Sequence, residues 1–154
     1  MQLVSFLTLL FFTTDHLEQN KPAKIKTWIV GHSLVRWAAQ YAEQQIYGRS
    51  LGLCSKKHEV VWWGKSGMRW GNLLPCLTDL YKLRGGYPDL LIIHLGENDL
   101  VKLSGLTLMQ YMKRDLEMLK SGWGETDIVW TEFLPSATGE EFLSIKQWTK
   151  LGGN

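Results

Sequence analysis

Apolar and polar positions fall into two patterns along this chain. Three short, continuously apolar runs each stop at a glycine followed by a polar cluster. They are Trp28-Ile29-Val30 before Gly31-His32-Ser33, Val60-Val61-Trp62-Trp63 before Gly64-Lys65-Ser66-Gly67, and Leu90 through Leu95 before Gly96-Glu97-Asn98-Asp99. Runs with no polar face suit strands buried on both sides of a parallel sheet. They predict strands at about 26–30, 59–63 and 90–95, and Ile128-Val129-Trp130 predicts a fourth. Between the runs, apolar residues recur at helical spacing. In 33–47, Leu34, Ala38, Tyr41, Ala42 and Ile46 share a face, and Gly48 stands where a C-cap would. A second helix is predicted from about 70 to 83, before Gly85-Gly86. A third, about 105–120, gathers Leu108, Met109, Met112, Leu116 and Leu119. Thr138 and Glu141 have capping-box spacing ahead of a last predicted helix at about 139–151.

Strands alternating with helices give βαβ units, so the fold class is α/β with a mostly parallel sheet of at least four strands. In such sheets ligands bind outside the carboxyl ends of the strands. Ser33, the Gly64–Gly67 turn and Asn98-Asp99 would then converge on one edge.

Composition bounds this picture. The 154 residues fit one domain, with 45% hydrophobic and 21% charged residues, far from a disordered composition. A net charge of +2 and scattered basic pairs imply no nucleic-acid partner. Residues 1–25 form a leader and linker, and 26–154 the α/β domain. Leu3 to Phe12 is too short to span a bilayer. It has the length of a signal-peptide core but lacks a basic start and a small-residue cleavage site. A cytoplasmic chain is favoured, with secretion as the alternative if residues 1–14 act as a signal peptide. Cys54 and Cys76 form no metal pattern, and neither CxxC nor HExxH occurs, so no metal and no cofactor are expected.

Each polar cluster has two interpretations. Ser33 sits at a strand-to-helix turn, where helix-start N–H groups and the helix dipole favour an anion. Gly-His-Ser before an apolar-periodic segment is equally a helix cap. Gly64–Gly67 is either a backbone donor to the crevice or an ordinary turn. Asn98 could donate to an oxyanion, and Asp99 could cap its own loop or hold the Ser33 turn. The three clusters in order, at three successive strand ends, say more than any one of them.

Those clusters, within about residues 26–135, resemble the SGNH hydrolases, the GDSL-type esterase and lipase superfamily. The resemblance implies a three-layer flavodoxin-like fold and hydrolysis of a small acyl or acetyl ester. Gly31-His32-Ser33 matches the first block, making Ser33 the nucleophile. Gly67 matches the second-block glycine and Asn98 the Gly-x-Asn-Asp block of Gly96 to Asp99. The oxyanion hole would be the Ser33 and Gly67 N–H groups with Asn98. Gly31, His32, Gly96 and Asp99 would support it. Gly-His-Ser-Leu-Val, Gly-Lys-Ser-Gly-Met-Arg-Trp and His-Leu-Gly-Glu-Asn-Asp-Leu are similar to SGNH domains encoded by LINE-type retrotransposons and their genomic relatives.

One departure matters. The family draws its base and orienting acid from a late Asp-x-x-His block, and the histidines here are His16, His32, His58 and His94. His32 should point away from the Ser33 hydroxyl, His94 is expected as a buried, hydrogen-bonded residue, and His58 opens a strand at the far end of the sheet. The expectation is therefore a C-terminally truncated domain, lacking its last strand and helix, with weak or no turnover. The exposed sheet edge would favour self-association. A non-catalytic remnant or interaction module derived from a mobile element is the alternative.

Overall fold

The computed structural model describes residues 23–135 and 141–148. Strands β1 (Ile25–Gly31), β2 (His58–Gly64), β3 (Leu90–His94) and β4 (Asp127–Pro135) are built on the four apolar runs. They pair in parallel in the order β2-β1-β3-β4. Every residue of β3 is buried, because helices cover both faces. On one face, α1 (Ser33–Gln44) packs Val35, Ala38 and Ala42 against Ile29, Ile92 and Val129. On the other, α2 (Leu73–Arg84) and α3 (Gly105–Gly122) pack Leu73, Leu77, Leu116 and Leu119 against Trp28, Leu91, Ile93 and Ile128. The result is a three-layer α/β fold, consistent with the flavodoxin-like arrangement. Burying each large aliphatic side chain in these layers contributes about 1.5–3 kcal/mol.

Two helices differ from expectation. The buried face of α1 is Val35, Ala38, Ala39 and Ala42, while Tyr41 and Ile46 are exposed. The alanines let α1 sit very close to the sheet. A β-carbon on Gly64 would collide with the Arg36 and Val35 backbone, so bulkier residues turn outward. α1 also ends at Gln45 rather than Gly48, which lies in the following turn at φ +63°. α2 starts after a 3₁₀ turn, Trp70–Asn72, and ends on Gly85 at φ +74°, a left-handed C-cap.

The largest correction lies at the carboxyl end. Glu141–Trp148 is a strand, β5, antiparallel to β4, where a helix over 139–151 was expected. Ile145 stands opposite Thr131, and Phe142 opposite Leu134. β5 covers the edge of β4 that was expected to lie exposed, pairing N–H and C=O groups that an edge strand would otherwise leave open, and its Phe, Leu, Ile and Trp residues are compatible with a strand. Thr138 of the proposed capping box lies outside the described residues, as do residues 1–22 with the leader and His16. Among the described residues no helix is long and apolar enough to cross a membrane.

Candidate active site

β1 lies between β2 and β3, so the turns that leave its two neighbours flank the turn that leaves β1. Ser33 follows β1, Gly67 follows β2, and Asn98 follows β3. The three sit at the carboxyl edge, where β1 and β3 form the switch point that binds ligands in this topology.

Backbone bonds join the three turns. Lys65 N–H donates to the Gly31 carbonyl at 3.0 Å, and His32 N–H donates to the His94 carbonyl at 3.3 Å. β1 and β3 approach so closely here that a β-carbon on Gly31 would meet the His94 carbonyl and the Val35 side chain. Gly96 turns the chain out of β3 at φ +124°, a conformation that only glycine adopts without strain.

His32, rather than Ser33, caps α1: its Nδ1 accepts the Leu34 N–H at 3.2 Å. Ser33 is the first helical residue and is half-buried. Its N–H belongs to a helical turn that lacks intrahelical acceptors.

Asn98 Nδ2 donates to the Met68 carbonyl at 3.1 Å. An Asn side chain carries two N–H donors, so one bond to Met68 leaves a second donor on the same nitrogen. The Asp99 side chain reaches across to the loop after β2. Its Oδ2 accepts the Trp70 N–H at 2.8 Å, in a buried contact. Trp70 in turn donates its indole N–H to Asp115 Oδ2 at 2.9 Å. The loop after β2 is thereby bound to the loop after β3 at Met68 and Trp70. Gly67, at φ +74°, lies just before the first of these anchors.

The histidines divide by place. His58 opens β2 at the opposite end of the sheet. His94 is fully buried, with Nδ1 2.8 Å from Thr131 Oγ1. The rings of His32 and His94 meet edge to face at 4.8 Å. Glu97 lies against both, with Oε2 3.2 Å from His32 Nε2 and Oε1 3.3 Å from His94 Nε2. Burial raises the Glu97 pKa, but the adjoining His32 and His94 rings outweigh it and hold the carboxyl at about 2. This His-Glu-His group was invisible in sequence, where His32 and His94 stand far apart. It is the group among the described residues with the ligand types of a metal centre, since its ligating atoms all lie within 4.8 Å of one another.

Beside Glu97 a cleft of about 210 Å³ opens between β3, β4 and α3, lined by Leu95, Leu100, Leu108, Met109, Met112 and Trp130. Its lining is mostly apolar, and it borders the same strand ends as Asn98.

No family model matches the chain, and no curated protein matches it. Among solved structures, the chain is similar to one described as a candidate platelet activating factor from Streptococcus pneumonia. The identity is 19% and the TM-score 0.48, with 82% of this chain covered. The chain spans about half, 54%, of that structure.

Proposed function

We propose that this domain is an SGNH-type serine hydrolase scaffold for small acyl or acetyl esters, with feeble turnover in this sequence. The observation that supports it most is the order of the turns: Ser33, Gly67 and Asn98 leave three adjacent parallel strands with the serine in the middle. The apolar cleft beside Glu97 suits an acyl group.

In this scheme Ser33 Oγ attacks the acyl carbonyl. The Ser33 and Gly67 N–H groups and the second Asn98 amide hydrogen hold the resulting oxyanion. The alcohol then departs, and water hydrolyses the acyl-serine. Among the described residues no histidine is placed to take the serine proton, which passes to water and on to the departing alcohol. His32 spends Nδ1 on the Leu34 N–H, and both it and His94 face Glu97. A serine without its base is a weak nucleophile. What remains is the roughly 10³–10⁴-fold acceleration over water that an oxyanion hole and binding supply alone.

A second reading is favoured by the Asn98–Met68 bond, which spends one donor on structure. It makes the domain a non-catalytic interaction module derived from a mobile element.

Fluorophosphonate labelling of the purified chain beside Ser33→Ala, with circular dichroism showing both folded, separates the two. Slow labelling that disappears in Ser33→Ala is the expected outcome. A folded chain that never labels would reject the esterase reading and favour the interaction module.

A further inference from the structure

We propose that His32, His94 and Glu97 form a binding site for a divalent transition-metal ion of the zinc class, at the carboxyl edge between β1 and β3. Two imidazoles and one carboxylate are a ligand set that Zn²⁺ accepts, and three protein ligands leave a fourth position open.

The spacing fits. Zinc bonds to nitrogen and oxygen of about 2.0–2.2 Å place neighbouring ligands in a tetrahedron roughly 3.3 Å apart. Glu97 stands 3.2 Å from His32 Nε2 and 3.3 Å from His94 Nε2. All the ligating atoms lie within 4.8 Å, so closing on an ion takes side-chain shifts on the order of 1 Å. Glu97, with 45% of its side chain exposed, has the freedom to make them.

The hydrogen bonds point the same way at His94. Thr131 Oγ1 donates to the Ile93 carbonyl at 3.3 Å, which leaves that oxygen to accept His94 Nδ1–H at 2.8 Å. In that tautomer Nε2 is the nitrogen a metal ion would take, 3.3 Å from Glu97 Oε1. An outer hydroxyl that fixes the tautomer of a ligating histidine is a regular part of such sites.

His32 supplies a second observation. Its side chain is 7% exposed, and its Nε2 is buried with no hydrogen-bond partner among the described residues. The 3.2 Å contact with Glu97 is therefore electrostatic and off the N–H axis. In the metal-free protein Nδ1 accepts the Leu34 N–H, so Nε2 holds the ring proton. An ion on Nε2 displaces that proton; Nδ1 becomes the N–H nitrogen and the Leu34 cap bond is given up. Metal binding thus acts on the turn that carries Ser33.

The test is calorimetric titration of the purified 154-residue chain with Zn²⁺, beside His32→Asn and Glu97→Gln, all checked by circular dichroism. Asn keeps a good helix cap while removing the imidazole, so His32→Asn should fold. The expected result is one saturable site that loses affinity in both variants by at least the roughly 10–100-fold that even outer-shell losses cost. Co²⁺ bound in place of Zn²⁺ should show tetrahedral visible bands without thiolate charge transfer. Folded protein that binds no Zn²⁺, equal binding in both variants, or a thiolate band pointing to Cys54 would each overturn the site. None of these outcomes depends on Ser33 labelling.

Discussion

The centre of the sheet and its carboxyl margin are built from similarly apolar sequence, yet only the centre declares itself. Leu90 through Leu95 form an unbroken run, and the strand they make is buried throughout by helices on both faces. Glu141–Trp148 mixes Phe142, Leu143, Ile145 and Trp148 with polar residues, which fits a helix about as well as a strand. Its structure is decided by the β4 edge beside it, with which it pairs from Ile128 to Pro135. Local pattern specifies an element when both faces are buried. At a margin, an unpaired neighbour does it.

The largest expected effect tests the centre. Ile92 is fully buried between α1 and its neighbouring strands, so Ile92→Ala should cost about 2–5 kcal/mol through lost burial and a cavity. Urea titration followed by circular dichroism measures it; a cost below about 1 kcal/mol would mean that this layer is not closely packed. Hydrogen exchange then sharpens the contrast with the margin. Amides of β1 and β3 should exchange only by global unfolding, and those of β5 by a lower-energy local opening. Equal protection in β3 and β5 would mean that the margin is as firmly held as the centre.

The candidate site is legible to the same degree as the centre, and for the same reason. Ser33, Gly67 and Asn98 follow apolar runs directly, so the pattern of runs and glycines by itself puts their turns at one edge. The lateral bonds leave no such trace. Asp99 reaching Trp70, Asn98 reaching Met68, and Glu97 lying between His32 and His94 mostly join residues distant in sequence, and no local pattern records them. His32 and His94 each have an adequate explanation alone, as a turn residue and as a buried strand residue.

A medium effect tests those lateral bonds. Asp99→Ala leaves the buried Trp70 N–H without its carboxylate acceptor, at about 1–3 kcal/mol. Because Trp70 follows the Gly67 turn, tryptophan fluorescence should also report a loosened loop. Stability unchanged within error would mean that water replaces the carboxylate at no cost. The two cysteines give a related contrast. Burial first, and Asp79 next, push the Cys76 thiol up to about 12 against a smaller opposing effect of Lys65. Cys54 is exposed, so a thiol reagent should modify Cys54 at once and Cys76 only as the chain unfolds.

The smallest effect is the acid response of Glu97. Its carboxyl is held at about 2, against an ordinary 4.5, so the folded state favours the charged form. That contribution is fully present above about pH 4.5 and is lost as pH falls from there toward 2. With 45% of the side chain exposed, solvent screening limits it to about 1 kcal/mol. Glu97→Gln should therefore lower stability slightly at neutral pH and flatten its decline between about pH 4.5 and 2. Identical acid profiles for the two proteins would show that the His32 and His94 rings do not hold the carboxylate. Beyond the β1–β3 ladder, the turn after β1 would then be held to the end of β3 by the backbone bond between His32 and His94, with Glu97 only resting against it.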